Sequence, residues 1–244
     1  MFKIALNAGH GFYTAGKRCL KTLDPNATRE WTLNNRIAKL VETKLKAYVG
    51  YELLRLDDIS GKTDVPLITR TNNANKWGAD FYLSIHHNAG VNGGSGGGII
   101  SIVYTSASAK SVEWQKALYD NLIKHTGLKG NRSQPLPKQN LHECRESNMP
   151  CVLLELGFMD SKTDVPVILT DDYADKCATA IVEVLAEKGG LKKSTENKET
   201  TYREKVVTAC EFSSATVEYL DNYKCSAELY KALWECLREG KKRY

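Results

Sequence analysis

Two histidines and two carboxylates occupy positions in this sequence of 244 residues that suit metal-assisted hydrolysis. His10, His86 and Glu155 each follow or end a short apolar segment, and Glu30 opens a long amphipathic one. Zinc in a hydrolase takes nitrogen or oxygen ligands from the protein and keeps one position open for water, whose pKa it lowers towards roughly 7. Two histidines and one carboxylate meet that requirement.

Two of these candidates also have a purely structural interpretation. His10 lies between Gly9 and Gly11, where the chain can turn sharply and expose the imidazole, and such glycines suit a metal ligand and a plain turn histidine equally. Glu30 opens a predicted helix, where the helix dipole favours a carboxylate whatever its function. From residue type alone, capping is therefore the stronger interpretation of Glu30.

The other two candidates are tied to predicted strands. Side chains alternate along a strand, so at most one of His86 and His87, which follow the apolar residues 81–85, faces a common site. Glu155 ends the apolar run 152–154, and a carboxylate at such a buried position costs several kcal/mol unless it is paired, protonated or bound to a metal. We therefore predict a functional role for Glu155.

Apolar segments of strand type alternate with longer amphipathic segments, which is typical of an α/β fold. The pattern predicts strands at 2–8, 51–56, 81–86, 99–104 and 151–156, and helices at 29–48, 64–77, 109–126 and 173–188. In a parallel sheet the carboxyl ends of the strands meet at one edge. We therefore expect the candidates that follow or end these strands to converge there.

The overall composition excludes several classes of protein. The chain is 42% hydrophobic and 26% charged, as globular proteins are. Its formal charge of +5 comes from basic residues interleaved with acidic ones, so we predict no nucleic-acid binding. No run approaches the roughly 18 apolar residues of a membrane helix, which predicts no membrane insertion, and the start of the chain lacks the apolar stretch of a signal peptide. The seven cysteines form no Cys-x-x-Cys pair, which argues against a thiolate metal site.

The chain divides by composition into three parts. Residues 1–188 carry the predicted α/β domain, and the polar residues 189–200 are predicted to be a linker. Residues 201–244 form a small α-rich C-terminal domain, with a short strand predicted at 205–209 and helices predicted at 214–222 and from Ser226. A domain of this size has little core of its own, so docking or self-association would stabilise it.

Taken together, the motifs resemble those of the zinc-dependent N-acetylmuramoyl-L-alanine amidases of the Amidase_3 family, over about residues 3–187. Their order and spacing agree with that family. The matching residues are Asn7-Ala8-Gly9-His10-Gly11; Glu30 with Asn34 and Ile37-Ala38; Arg70 with Ala74-Asn75 and Ala79-Asp80; Ser84-Ile85-His86 with Asn88; and Arg145, Met149-Pro150, and Glu155 with Gly157-Phe158.

The resemblance implies a twisted, mostly parallel sheet flanked by helices, with one zinc ion (Zn2+) bound by His10, Glu30 and His86. It also implies that Glu155 is the catalytic carboxylate. The implied substrate is bacterial peptidoglycan, cut by a zinc-activated water at the amide bond between N-acetylmuramic acid and L-alanine. Two positions depart from the family: His87 stands where a small residue is usual and remains a competing ligand, and Asn7 stands where an aspartate is common.

The residues leave other interpretations open. Arg70 and Arg145 match recurring family positions, but an arginine that pairs with an aspartate to hold loops together explains them equally well. The same metal site would serve a zinc peptidase or a deacetylase acting on other substrates. A wall-binding module without activity is a further alternative, against which the buried Glu155 argues.

The resemblance and the missing signal peptide together predict a phage endolysin for host lysis, which is made in the bacterial cytoplasm and acts on the cell wall after release. A bacterial autolysin or a sporulation lysin with the same chemistry is the alternative. Residues 201–244 are then expected to bind the wall or to form a homodimer. Core packing at helical spacing explains the aromatic residues there better than sugar binding does; they are Tyr219, Tyr223, Tyr230 and Trp234.

Overall fold

The computed structural model describes residues 1–194, 202–210, 212–223 and 226–240. The chain separates into two compact units, Met1–Lys193 and Ser194–Tyr244. The first unit contains, in chain order, β1 (Phe2–Ala8), α1 (Glu30–Leu45), β2 (Tyr48–Val49), β3 (Tyr51–Arg55), α2 (Leu67–Trp77), β4 (Phe81–Asn88), β5 (Ile99–Ile102), α3 (Ala109–Thr126), α4 (His142–Glu146), β6 (Cys151–Phe158), α5 (Val165–Ile168), α6 (Asp171–Gly189) and β7 (Lys192–Lys193). Across the described ranges, none of the helices is long and apolar enough to cross a membrane.

A five-stranded sheet, in the order β3-β1-β4-β6-β5, forms the centre of the first unit. β3, β1, β4 and β6 pair in parallel, and β5 pairs antiparallel with β6 at one side of the sheet. Parallel neighbours require crossover connections, which the intervening helices provide. The predicted α/β fold, with a mostly parallel sheet flanked by helices, is confirmed.

Helices cover both faces of this sheet. α1, α3 and α6 pack on one face around the larger apolar core, where the rings of Phe81 and Trp114 stack with their centroids 3.9 Å apart. α2 and α4 pack on the other face around a smaller cluster that includes Ala74, Tyr82 and Cys144. Each large apolar side chain that is fully buried contributes roughly 1.5–3 kcal/mol to stability. The sheet is therefore a firm base for the side chains at its strand ends.

Several element boundaries differ from the predicted ones. Helix α1 ends at Leu45 rather than at residue 48, because the strand residues that follow pair with β7. Helix α2 begins at Leu67 rather than at residue 64, because Pro66 disfavours a helical conformation in the residue before it. Helices α4 and α5 were not predicted, since five and four residues are too few to show a helical period.

The second unit is helical within the described residues and contains α7 (Tyr202–Cys210), α8 (Ser214–Asp221) and α9 (Ser226–Gly240). The prediction of a strand at 205–209 is wrong, because that segment lies in α7, which packs against α9 with Val206 fully buried. Arg203 donates to both carboxylate oxygens of Asp221 at 2.6 Å. The hydroxyl of Tyr230 donates to the same carboxylate at 3.0 Å. These contacts tie the three helices together.

The predicted linker at 189–200 falls only partly within the described residues. Gly189 is the last residue of α6, and the β7 residues pair with β2, so both belong to the first unit. Residues 195–200 lie outside the described residues. The first unit therefore extends to Lys193, beyond residue 188, where the α/β domain is predicted to end.

Candidate metal centre and active site

The carboxyl ends of β1, β4 and β6 lie side by side at one edge of the sheet. The parallel register pairs Ala8 of β1 with Ile85 of β4, and His86 of β4 with Glu155 of β6. Paired residues on neighbouring strands project to the same face, so His86 and Glu155 are neighbours. His10 lies two residues after Ala8, the last residue of β1. The structure thus brings the predicted strand-end residues to one place.

Glu30, the first residue of α1, connects the two histidines. Its carboxylate is 1% exposed, and Oε2 lies 3.4 Å from His10 Nε2. Its other oxygen, Oε1, lies 3.1 Å from His86 Nδ1. One potential ligand atom from each of these residues lies within 4.8 Å of the other two. Among the residues that the structure describes, this is the one cluster of histidine, cysteine and acidic side chains with the spacing of a metal site.

These three residues, called the triad below, fit a tetrahedral zinc ion. Zinc binds histidine nitrogen and carboxylate oxygen at about 2.0–2.2 Å, which separates tetrahedral ligand atoms by roughly 3.3–3.5 Å. The distance of 3.4 Å between His10 Nε2 and Glu30 Oε2 falls in that range. Glu30 Oε2 and His86 Nε2 are also buried without a hydrogen-bond partner. Buried polar atoms are rarely left unpaired, and a cation held between these residues would give both atoms a partner.

Burial and neighbouring charges set the protonation of the triad. Burial alone would raise the pKa of Glu30, but the hydrogen bond and charge of His86 lower it to about 2, so the carboxylate is ionised. Burial lowers the pKa of His10 to about 4, which leaves its imidazole neutral at pH 7. Burial would also lower the pKa of His86, but the hydrogen bond with Glu30 raises it to about 9. A metal ion that took His86 as a ligand would therefore displace a proton from its ring.

Glu155 lies beside the triad, and the described residues provide no hydrogen-bond donor to its Oε2. Its Oε2 is buried and accepts no hydrogen bond, and burial raises the pKa of the carboxyl to about 7. A carboxyl group with a pKa near the working pH can both accept and donate a proton. The four residues together can therefore hold a metal ion and exchange a proton with a group that reacts beside it.

The backbone at His10 is strained and is held from two sides. Its φ of 65° lies in the left-handed region, which is uncommon for a residue other than glycine. The His10 carbonyl accepts a hydrogen bond of 3.1 Å from Arg70 Nη2, and the N–H of Gly9 donates to the carbonyl of Ile85 at 2.9 Å. Strain of this kind, of the order of 1–3 kcal/mol, persists only where the surroundings determine the conformation. Here it turns the imidazole of His10 towards Glu30.

Arg70 joins this loop to two helices through a buried network. The guanidinium is 1% exposed and donates to Asn7 Oδ1 at 2.6 Å and to Asp64 Oδ1 at 2.9 Å. Asn7 in turn donates to Glu143 Oε1, on α4, at 2.7 Å. The Asn7 amide thus accepts a hydrogen bond from the buried guanidinium through its oxygen and donates one to the buried Glu143 carboxylate through its nitrogen. These are the contacts of an arginine that pairs with an aspartate and holds loops together.

Two other predicted candidates lie outside the triad. His87 Nδ1 lies 2.8 Å from Asn34 Oδ1 on α1, and burial lowers the pKa of His87 to about 3, so the ring is neutral. His87 is not part of the metal cluster found among the described residues. Arg145 pairs with the neighbouring Glu146 through Nε at 2.6 Å, and both side chains are partly exposed.

Two residues near the site were missed by sequence reasoning. Glu143 lies in the short helix α4, which shows no period in the sequence. Lys17 lies in the irregular segment between β1 and α1, and its Nζ is 3.9 Å from Glu30 Oε2. The position of that segment depends on distant contacts, such as the hydrogen bond from Leu20 N–H to the carbonyl of Met159 at 2.9 Å. No local signal could have placed either residue.

The aromatic residues of the second unit differ in exposure. Tyr230 is buried and Trp234 is partly buried, as core packing predicts. Tyr219 and Tyr223 are 70% and 54% exposed, so the prediction of core packing is wrong for these two residues. The latter two rings are therefore free to meet another molecule.

Comparisons with a family profile, with curated relatives and with solved structures all identify N-acetylmuramoyl-L-alanine amidases as similar proteins. The family profile described as N-acetylmuramoyl-L-alanine amidase, Amidase_3, matches residues 4–187. A sporulation-specific N-acetylmuramoyl-L-alanine amidase of Bacillus subtilis is 33% identical over 200 residues, which cover 81% of this chain and 72% of the relative. An endolysin of Bacillus phage SPP1 is 31% identical over 192 residues, which cover 78% of this chain and 67% of the endolysin. The crystal structure of an N-acetylmuramoyl-L-alanine amidase from Clostridium difficile 630 is similar with a TM-score of 0.68 at 26% identity, over 76% of this chain and 95% of that one.

Proposed function

Because this chain belongs to the Amidase_3 family of N-acetylmuramoyl-L-alanine amidases, enzymes of the bacterial cell wall, we propose that it hydrolyses peptidoglycan with a zinc-activated water. The bond is the amide between the lactyl group of N-acetylmuramic acid and L-alanine. The observation that carries the proposal is the convergence of His10, Glu30 and His86 within 4.8 Å, with Glu155 paired in register beside His86.

Zinc bound by the triad would supply a Lewis acid that lowers the pKa of a water molecule and polarises the scissile carbonyl. His10 and His86 supply nitrogen ligands, and the ionised Glu30 supplies the negative charge that a dication requires. Arg70 keeps the backbone of His10 in the conformation that directs its ring inwards.

Glu155 moves the proton in this proposal. Its raised pKa and its position beside His86 allow it to accept a proton from the attacking water. The same carboxyl then donates that proton to the nitrogen of L-alanine as the carbon–nitrogen bond breaks, which leaves a lactyl carboxylate and a free amine. One carboxyl can act as base and then as acid because its pKa lies near 7.

Two alternative functions would use this protein differently. A zinc peptidase or deacetylase would use the same four residues on a different bond. A wall-binding module would not need an unpaired buried carboxylate next to two histidines. The family similarity favours the amide of N-acetylmuramic acid over both.

The test is to identify the bond cut in purified peptidoglycan. Wild-type protein, Glu155→Ala and chelator-treated wild type are incubated with walls, and new L-alanine N-termini and new reducing sugars are measured separately. We expect amine release without reducing sugar from the wild type, and none from the other two samples. Release of a different N-terminus would indicate a peptidase, and binding without any release would indicate a wall-binding module.

For the biological setting we propose host lysis in the manner of a phage endolysin, with the enzyme made in the cytoplasm and reaching the wall after release. The similarity to the endolysin of Bacillus phage SPP1 supports this proposal. The similarity to a sporulation-specific amidase of Bacillus subtilis supports a sporulation lysin as the second candidate. The rates of hydrolysis of walls from vegetative cells and from sporulating cells distinguish the endolysin from the sporulation lysin. An endolysin should hydrolyse vegetative walls at least as fast as walls from sporulating cells.

We propose that residues 201–244 bind the cell wall, with self-association as the alternative. The exposed rings of Tyr219 and Tyr223 support wall binding, since aromatic faces stack on apolar and sugar surfaces. Co-sedimentation of the full chain with walls, compared with its Tyr219→Ala and Tyr223→Ala double variant, tests the first role. Analytical ultracentrifugation of the full chain tests the second.

A further inference from the structure

Lys17 places a positive charge at the rim of the triad. Its ammonium nitrogen is 3.9 Å from Glu30 Oε2, and its side chain is 45% exposed. In the described part of the chain, Glu30 is the one carboxylate that pairs with it. The distance exceeds the roughly 2.7–2.9 Å of a charge-assisted hydrogen bond. Glu30 therefore lies near Lys17 without engaging its donors.

The backbone of Lys17 is fixed at this position. Its carbonyl accepts a hydrogen bond of 3.0 Å from the N–H of Glu30, the first residue of α1. The next residue, Arg18, forms a β-bridge with Arg29. These contacts keep the backbone of Lys17 close to the triad. The four-carbon side chain of Lys17 is flexible, so its ammonium group can still change position.

The charge of Lys17 would be only partly balanced once the triad held a dication, because Glu155 interacts with it over a longer distance but Glu30 is its one ion-pair partner among the described residues. Glu30 would then be shared with the metal, and two positive centres would face the same opening. Such a rim attracts an anion and repels a cation. The side chains of His10 and Lys17 are 20% and 45% exposed, so a substrate that reaches the triad from solvent passes Lys17, and an anionic group of that substrate would meet its charge.

We infer that Lys17 binds a free carboxylate of the peptidoglycan stem peptide, close to the L-alanine at the scissile bond, and thereby selects for walls in which that carboxylate is not amidated. The inference rests on the proposed function, since it assumes that the scissile amide lies at the triad. The residue after L-alanine in stem peptides is a γ-linked D-glutamyl unit, whose α-carboxyl group is free in some walls and a carboxamide in others. An extended residue spans at most about 3.6 Å, so that group lies within about 7 Å of the scissile nitrogen. A lysine at the rim can reach it.

The experiment compares two substrates and four proteins. The substrates are muropeptides that differ only in this group, carboxylate or carboxamide. The proteins are wild type, Lys17→Met, Lys17→Arg and Lys110→Met. Lys110 is exposed and follows β5, whose antiparallel direction puts it at the opposite edge of the sheet, so its replacement is a matched loss of one charge.

We expect KM of Lys17→Met for the carboxylate substrate to rise about 10- to 100-fold with kcat within twofold, as the loss of one hydrogen bond to a charged group predicts. KM for the carboxamide substrate should stay unchanged, so the preference of the wild type disappears. Lys17→Arg should restore most of the preference, and Lys110→Met should behave as wild type. Equilibrium binding of both muropeptides to Glu155→Gln, with and without Lys17→Met, should show the same selectivity without turnover.

Other outcomes overturn the inference or separate it from the proposed function. If Lys17→Met lowers the rate of hydrolysis of both substrates equally, or lowers the zinc content of the protein, Lys17 positions Glu30 and does not bind the substrate carboxylate. If the wild type shows no preference for the carboxylate in binding, the inference fails. If no protein releases L-alanine N-termini, the proposed function fails, and the binding measurements alone decide whether Lys17 recognises the carboxylate.

Discussion

Replacement of Gly9 by alanine introduces a Cβ atom into the space that the imidazole of His86 occupies. That atom would lie 2.0 Å from Cε1, 2.3 Å from Nε2 and 2.4 Å from Nδ1 of the ring. Gly9 cannot move back, because its N–H donates to the carbonyl of Ile85 at 2.9 Å and its carbonyl accepts from Asn34 Nδ2 at 3.1 Å. The histidine ring must therefore move.

The size of that movement exceeds what a zinc site tolerates. An ordinary contact begins at 3.4 Å, so the closest ring atom must shift by about 1.4 Å from its distance of 2.0 Å. Zinc–ligand distances hold to within about 0.2 Å. Removal of a residue that only hydrogen-bonds to a metal ligand lowers metal affinity by up to about 100-fold. Loss of the ligand His86 itself should therefore lower zinc affinity at least about 100-fold. Amide hydrolysis should fall with it.

The assay is competition for zinc between the protein and a chromophoric chelator, together with thermal unfolding and amine release from walls. Gly78→Ala is the control: Gly78 has φ 68° with nothing within 4 Å of an added Cβ. It should lose about 1 kcal/mol of stability and keep its zinc affinity. If Gly9→Ala unfolds like the control and binds zinc within threefold of wild type, the reasoning about the packing of His86 is refuted.

Three further predictions concern the same region. Glu155→Gln should reduce amide hydrolysis by about 10²- to 10⁴-fold while zinc content and melting temperature stay at wild-type values, and a parallel loss of zinc would contradict its role in proton transfer. Arg70→Met should lower the free energy of unfolding by about 3–5 kcal/mol in urea denaturation, because it leaves the buried Asn7 Oδ1 and the carbonyls of Ala8 and His10 without the guanidinium that donates to them; an unchanged midpoint would show that the network contributes little. Zinc at about 1,000 times its dissociation constant should stabilise the metal-free protein by about 4 kcal/mol in thermal unfolding, and His10→Ala should abolish that gain.

Much of the candidate site follows from the pattern of strand ends. The apolar segments before His86 and Glu155 predict parallel strands whose carboxyl ends meet at one edge of the sheet. The structure makes these two strands neighbours and pairs the two residues in register. His10 follows the first strand between two glycines, and Gly9 proves necessary for close packing against His86. The convergence of these residues is thus a consequence of α/β topology.

The parts that escaped prediction depend on contacts distant in sequence. Lys17 and Glu143 lie in an irregular segment and a short helix, whose positions are set by packing rather than by periodicity. In the second unit, the β-branched residues Val206 and Val207 favour a strand locally. Packing against α9 outweighs that preference, and the segment is helical. A propensity of a few tenths of a kcal/mol per residue is smaller than the gain from burying one valine.

The network around Arg70 has a consequence for protein design. The loop that carries His10 is closed by a guanidinium from α2 and, behind it, by the Asn7 amide and a carboxylate from α4. Transplanting the four site residues onto another parallel sheet would copy the ligands but leave the carbonyl of His10 without its donor. The smallest unit that can be transferred is therefore the loop together with both helices. A recipient scaffold must provide a buried arginine and a buried acid at the same positions relative to the loop.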